Sequence, residues 1–494
     1  MAVAPAGTGP GLPWTEALPH DADVAIVGGG FSGLLTLVHL VRLVPDGRFL
    51  VLERRPRALP GPAYGGCDQE HLLNVPAGRM GAFADDAGAF HRWLEALHPG
   101  RWSPDDFVPR ALFGRYLTEL VAAELANARG RACLVRDAVV HVERMPAGVE
   151  LLLASGRSCA AGSVVIAPGL PPARTPWTHV DHGAPRRALV SDPWEPGSFA
   201  GLEPSAEVLV MGSGLTAIDV VQGLRRAGHR GVVRLVSRHG RLPLPHARPG
   251  EPALAVPRER FEGGPLQVLR SLRALARERV ASGLGWQGAL DAVRPHVTSI
   301  WRAWTPAQRR SFLRLARPMW EIHRHRAPRA ILDDMERQLR SGTLTLERGE
   351  LVELRPGADG GVRATFRTRS GASFDRSAAR IFNCIGPGMS VRDTVDPLVG
   401  SMLRSGTASA DPVGLGLHTD GEGRLVRADG AADERMHLVG ALRRGDLWET
   451  TAVPELRVQA EAVARALAVR MSATGGARAA RDPATSATVP EGCG

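Results

Sequence analysis

The sequence predicts an α/β protein: two nested Rossmann-like dinucleotide-binding domains, with a helical insertion in the second. Three observations predict it. "DVAIVGGGFSGLL" places Gly28, Gly30 and Gly33 in GxGxxG spacing behind an apolar strand. "EVLVMGSGLTAIDVV" repeats the arrangement as GxGxxA at Gly212, Gly214 and Ala217. Between 257 and 340 the apolar residues then recur at helical rather than strand period.

Each motif reads as a strand, a turn that glycine makes tightly, and a helix opening onto an anion. The second glycine lets backbone approach a pyrophosphate, and the third small residue lets helix pack on strand. The helix's free N–H groups and positive dipole end face the phosphates. The two motifs differ in their distal residues. Glu53 in "RFLVLERR" stands about 20 residues beyond Gly33, where a carboxylate accepts both hydroxyls of an unphosphorylated ribose. At the equivalent place after the second motif, "VRLVSRHG" offers Ser237 and Arg238, and a guanidinium there takes a 2′-phosphate bidentately. The pair predicts FAD in the first site and NADPH in the second. Phe31, Ser32 and Arg54 complete the first cradle, Leu215 and Thr216 the second. Gly169 and Gly386, where "SVVIAPG" and "ARIFNCIGPG" leave apolar strands, are counted with them. Arg241 is a further candidate for the phosphate and His239 for the adenine.

The expected division is nested. Residues 1–19 and 473–494 are aperiodic and rich in small residues, and are expected to be disordered tails. The FAD-binding domain occupies 20–170 and resumes over 378–472, and the NADPH-binding domain spans 171–377 with about four insertion helices over 257–340. That insertion is expected to be a lid or substrate cap, the alternative being a packing or dimerisation element.

Composition narrows the class. The 494 residues carry a net charge of +10, contributed by arginine without any lysine, and only 5% are aromatic. The arginines are dispersed rather than gathered in a stripe, which argues against nucleic acid. Cys67, Cys133, Cys159, Cys384 and Cys493 show no paired spacing. That predicts a reducing, cytoplasmic setting without disulfide or zinc framework, and it removes the dithiol that disulfide reductases keep beside a flavin. The N-terminus lacks the basic and apolar regions of a signal peptide. The longest apolar run, from Leu34, is broken by His39 and Arg42, so no membrane span is expected.

The lines "GPAYGGCDQEHLLNVPAGRM", "NCIGPG", "DPLVGSMLRSGTASADPVGLGLHTDGEGRL" and "ALRRGDLWETTAVPELRVQA" carry a closer likeness. Over about 20–470 the chain resembles the bacterial FAD/NAD(P)-binding protein family, which is similar to class B flavin monooxygenases of the N-hydroxylating and FAD-dependent urate hydroxylase kinds. The resemblance implies a loop over the isoalloxazine at Tyr64 to Met80, with Asn74, Val75, Pro76 and Met80 as flavin contacts. It also implies a Gly-Asp ending on the last FAD strand, but here Gly440 precedes Ala441. Either Asp446 substitutes, or backbone N–H groups of "WETTAVPE" serve. The second is preferred, with Thr450 and Thr451 capping a helix in which Pro454 takes a first-turn place.

NADPH beside FAD implies hydride transfer to the flavin. Three onward acceptors are open: molecular oxygen, an organic substrate or a protein. The expected function is a monooxygenase passing one oxygen atom from a flavin hydroperoxide to a small nitrogen-containing metabolite (amino acid, amine or purine). A reductase or dehydrogenase without oxygen insertion, and a non-catalytic flavin sensor, are the alternatives. No catalytic triad or paired carboxylates stand out. In "RPMWEIHRHRAPRA", Trp320, His325 and Arg326 are the substrate-side candidates, Arg326 for an anionic group. The same tract also reads as a solvated basic helix with its Trp inward. No metal site is expected, since His323 and His325 at i, i+2 point apart on a helix.

Overall fold

Strand Asp21–Val27 and helix Phe31–Leu43 build the first unit, because the apolar end of the strand, Val24 to Val27, runs into a glycine turn and then an apolar helix. The computed structural model describes residues 12–55, 61–65, 71–128, 130–170, 175–177, 182–195, 197–386, 388 and 390–479. Asp21–Val27 sits at the centre of a largely parallel sheet, flanked by Phe49–Leu52 and Ser158–Ile166. Beyond these lie Ala132–Val135 on one side and Ala432–Leu438 on the other. The strand order reverses beside Asp21–Val27, the place where open parallel sheets bind ligands at their carboxyl ends. Helix Phe31–Leu43 is buried along nearly its whole length. It is enclosed because the terminal helix Val453–Ala479 shares its core through Val463, Ala464 and Leu467.

The second sheet is all parallel: Leu344–Arg348, Val233–Ser237, Val208–Met211, Arg380–Asn383 and Leu189–Val190, in that order. Helix Leu215–Arg226 follows its glycine turn. A three-stranded antiparallel meander over Glu350–Pro356, Val362–Arg367 and Ser373–Ala378 packs on this sheet through Leu354, Phe366 and Val236. No helix among the described residues is long and apolar enough to cross a membrane.

Four expectations need correction. Residues 12–19 are not a tail: Trp14–Thr15 pairs with Leu134–Val135, and Arg136 lies over the Trp14 ring. Residues 1–11 and 480–494 lie outside the described residues, but the terminal helix runs past 473 to Ala479. Strand Arg380–Asn383 does not begin the return to the first sheet at 378, since it hydrogen-bonds between Val208–Met211 and Leu189–Val190. An apolar strand ending in glycine is the pattern of both sheets, so the sequence alone does not say which one it joins. The stretch 257–340 holds six helices rather than four: Pro265–Ala281, Gln287–Val293, Val297–Ala303, Pro306–Leu315, Arg317–Arg324 and Arg329–Ser341. The last is a Rossmann helix, with Ile331, Leu332 and Met335 buried against Val208 and Leu235. The others close on an aromatic core of Trp301, Trp304, Phe312 and Trp320.

Candidate active site

In both glycine turns the three small positions divide by what surrounds them. Gly28 (φ +111°) and Gly212 (φ +114°) are in the left-handed region. A Cβ on Gly28 would lie 2.1 Å from the Ala167 carbonyl oxygen, and one on Gly212 2.3 Å from that of Cys384. A Cβ on Gly33 would meet the Gly28 oxygen at 1.9 Å. These positions are glycine so that the fold closes. Gly30 and Gly214 are different. A Cβ on Gly30 meets only the Gly61 Cα at 4.0 Å, and one on Gly214 meets nothing within 4 Å. Both are extended residues at the start of a helix, with no side-chain cap. Open space before uncapped helix N–H groups is what a pyrophosphate requires.

In the first site the Glu53 carboxylate is buried and built into the turn. Gly29 N–H donates to its Oε2 at 2.7 Å and Arg55 N–H to its Oε1 at 2.8 Å. Phe31 is buried in the core, and Ser32 Oγ lies 3.2 Å from where a Gly440 Cβ would be. The end of Ala432–Leu438 therefore abuts the opening of the first helix. Arg54 is committed elsewhere, donating to Asp396 Oδ2 at 2.7 Å. Gly169 (φ +81°) and Gly386 (φ +81°) are both described, and neither has an atom within 4 Å of a Cβ. Gly386 follows strand Arg380–Asn383 of the second sheet.

Asn74, Val75 and Pro76 are half-buried in the loop beyond Leu72, whereas Met80 is 1% exposed and packs in the first core with Ala77 and Leu73. Residues 66–70 of this loop lie outside the described residues. The loop's base is held by the second domain: Arg110 donates to the Leu72 carbonyl at 2.8 Å and pairs with Asp219 at 3.0 Å. The His71 ring contacts the Asp219 carbonyl at 3.2 Å. Asp219 lies on the helix that follows Gly214, so the loop beyond Leu72 is tied to the helix of the second glycine turn. Burial raises the Asp219 pKa, and Arg110 counters it.

At the carboxyl end, Thr450 is buried and does not cap the terminal helix. Its hydroxyl donates to the Gly440 carbonyl at 2.8 Å and accepts from Gln459 Nε2 at 2.7 Å, while Gln459 Oε1 takes the Gly440 N–H at 3.1 Å. Thr451 is exposed, and Pro454 is the second residue of the helix. Asp446 is spoken for by Arg302 at 2.7 and 2.8 Å and by Arg443 at 3.1 Å. Trp448, at φ +61°, turns the chain towards the terminal helix, and the Glu449 N–H that follows donates to the Leu447 carbonyl at 2.8 Å.

The substrate-side candidates are not a solvated basic helix. Trp320 is buried and donates to Glu449 Oε1 at 2.9 Å. Arg326 is 5% exposed and is neutralised by Asp291, so it is not a free cation awaiting an anionic group. His325 is partly buried, and burial lowers its pKa. Sequence reasoning missed the partners that assemble here. Arg324 reaches Glu449 at 3.1 Å and Glu455 at 3.2 Å, and Arg294 reaches Glu455 at 2.7 Å. Burial works against the Glu449 charge, but Arg324, His325 and Trp320 outweigh it and hold that carboxyl below its usual range.

His246 was also missed. Its ring lies 4.7 Å from that of Phe107, tilted by 42°, and sits beside the backbone of Asn74 and Arg326, joining the loop to the insertion. Burial, with Arg326 nearby, lowers its pKa from 6.5 to about 4. The unfolded chain therefore binds the proton more readily, and stability is lost as pH falls from about 6.5 towards 4. His246→Phe is expected to flatten that part of the thermal-midpoint profile. A profile parallel to the parent's between those pH values would show that His246 is not buried neutral.

In the second site Ser237 is turned into the loop. Its hydroxyl lies 2.9 Å from that of Ser213 and accepts from Gly240 N–H at 3.0 Å, while Ser213 donates to the Arg241 carbonyl at 2.6 Å. Leu215 and Thr216 open the helix, and Ala217 is fully buried beneath them. Arg238, His239 and Arg241 are exposed at the strand end. Arg348, which no motif marks, stands in register with Ser237 on the neighbouring strand.

Residues 25–171 match the model of the family described as FAD-NAD(P)-binding. Comparison with curated protein sequences gives no match. Among solved structures, the Kutzneria sp. 744 ornithine N-hydroxylase is 15% identical, with a TM-score of 0.61 over 91% of this chain and 99% of that one. L-lysine 6-monooxygenase from Pseudomonas syringae is 16% identical, with a TM-score of 0.61 over 90% and 99%. The FAD-bound cadaverine monooxygenase of Erwinia amylovora is 12% identical, with a TM-score of 0.61 over 90% and 94%. The chain thus carries an FAD-NAD(P)-binding domain within a fold shared, over nearly its full length, with these amine and amino-acid monooxygenases.

Proposed function

We propose that the protein is an FAD- and NADPH-dependent monooxygenase acting on a small nitrogen-containing metabolite. One observation carries the reading: two helix openings at which the second glycine faces empty space while its neighbours are sterically closed. Two dinucleotides fit that arrangement. Gly30, Ser32 and the Glu53 carboxylate would hold FAD, and Gly214, Thr216 and Arg238 would hold NADPH. When bound, FAD and NADPH would supply hydride transfer and the activation of molecular oxygen.

The chain's own residues exclude water and orient. Asn74 to Pro76 would lie against the flavin, with the His246 ring beside Asn74 and Arg326 tying that loop to the insertion. Burial keeps His246 uncharged at neutral pH. The fold shared with ornithine, lysine and cadaverine oxygenases supports an amine nitrogen as the oxidised atom. The unpaired cysteine spacing argues against disulfide reduction. It also supports a cytoplasmic location, and the dispersed arginines support the absence of a nucleic-acid partner. The same reading treats 171 to about 385 as an NADPH domain set into the FAD domain.

The test is a panel of amino acids, amines and purines, scored for stimulated NADPH oxidation, oxygen uptake and product mass. A substrate whose product gains one oxygen atom is expected. NADPH oxidation coupled to a product without added oxygen would replace this reading with a dehydrogenase. No NADPH turnover with any member would favour a flavin-bound sensor.

A further inference from the structure

The second ribose site has more positive charge than its own strand supplies. Arg348 ends the strand Leu344–Arg348, opposite Ser237, and its Nε donates to the Arg238 carbonyl at 3.2 Å. Among the described residues no carboxylate pairs with Arg238, Arg241 or Arg348, and the adjacent Glu347 is occupied by Arg234 and Arg376. The Arg241 guanidinium rests against the Met319 sulfur, on the first turn of helix Arg317–Arg324. The chain beyond Arg241 stays tied to that helix, Leu244 N–H donating to the Ile322 carbonyl at 3.0 Å. Arg317, which opens the helix, has a buried Nε without a hydrogen-bond partner, with Glu321 Oε1 at 3.6 Å.

We infer that the 2′-phosphate site is shared between the nucleotide domain and the insertion, Arg238 and Arg348 gripping it from the strand ends and Arg317 from the helix. The inference rests on NADPH occupying the second site and deepens that reading. The surroundings of His239 support it: beyond burial, the groups that lower its pKa are Arg238, Arg348, Arg241 and Arg317. A dianionic phosphate would supply the counter-charge that Arg238, Arg241 and Arg348 lack, and a hydrogen-bond partner for the Arg317 guanidinium beside its contact with Glu321. Its consequence is mechanical. A 2′-phosphorylated nucleotide would bridge the second domain to the insertion helix Arg317–Arg324, and an unphosphorylated one would not.

Binding of NADP⁺ and NAD⁺ to the flavin-loaded enzyme, measured by titration calorimetry, tests this without turnover. Arg317→Ala and Arg348→Ala are each expected to weaken NADP⁺ about tenfold and NAD⁺ less than about twofold, for one charge-assisted hydrogen bond lost. Arg317→Lys is expected to recover part of the loss, which separates charge from packing. Limited trypsin digestion is expected to show NADP⁺, not NAD⁺, slowing cleavage around the insertion, with that protection absent in Arg317→Ala. Unchanged NADP⁺ affinity in Arg317→Ala, or an equal loss for both nucleotides, overturns the shared site while leaving Arg238 in place. Equal affinity of the parent enzyme for NADP⁺ and NAD⁺ overturns the NADPH reading itself.

Discussion

Gly30→Val is expected to yield folded protein almost free of flavin. A Cβ there has 4.0 Å of clearance, and the residue is extended rather than left-handed, so the chain tolerates a side chain. The new isopropyl group instead fills the space through which a pyrophosphate must approach the helix N–H groups. Losing even two hydrogen bonds to a charged oxygen, at about 1.5–3 kcal/mol each, lowers affinity by about a hundredfold or more. Gly28→Val provides the contrast. Its Cβ would lie 2.1 Å from a backbone oxygen at φ +111°, and that variant is expected to be insoluble rather than merely colourless. Circular dichroism and flavin absorbance on purified Gly30→Val separate the two effects. Normal flavin content would remove the first cradle from the account. Gly214→Val is the matching change in the second site: flavin retained, reduction by NADPH lost.

Arg324→Ala is expected to cost about 3–5 kcal/mol, the penalty for removing one partner of a buried ion pair. Arg324 and Glu449 are 8% and 11% exposed, and the alanine would strand both Glu449 and one contact of Glu455. The damage should fall where the insertion docks on the terminal helix, because Arg294 and Trp320 meet the same two carboxylates. The pH dependence comes from the depressed Glu449 value. Its contribution is fully present above the ordinary carboxylate range and is lost as pH falls through the lower folded value. Glu449→Gln is expected to shed that acid-side loss and to lower the neutral-pH thermal midpoint. A parent-like midpoint in Arg324→Ala would mean that this network does not hold the insertion in place.

Legible and illegible features of the chain divide along physical lines. The glycine turns are legible because backbone crowding acts within a few residues: Gly28 and Gly33 touch each other. The contact of Gly28 with Ala167, and that of Gly212 with Cys384, is across the sheet and invisible in the motif. The Glu53 and Arg238 positions come from one strand–helix–strand unit of nearly fixed length. Arg348 does not, since it reaches Ser237 only because a strand far along the chain joins the same sheet edge. Arg326 reads as a free cation in the sequence because its partner, Asp291, lies far along the chain on helix Gln287–Val293. Thr450 reads as a cap because Ser and Thr favour such places. The Gly440 carbonyl and Gln459 compete for the same hydroxyl and win it.

The central claim is that one nucleotide site holds the flavin and the other a 2′-phosphorylated nicotinamide. Anaerobic stopped-flow reduction of the bound flavin tests it most directly, with NADPH and NADH compared in the parent enzyme and in Arg238→Ala. One charge-assisted bond to the phosphate, worth roughly 1.5–3 kcal/mol, sets a preference of about tenfold to a hundredfold. The parent is therefore expected to be reduced faster by NADPH in kcat/KM terms, and Arg238→Ala to lose that advantage while NADH changes little. A parent that prefers NADH, or a variant in which both cofactors fall together, would contradict the assignment.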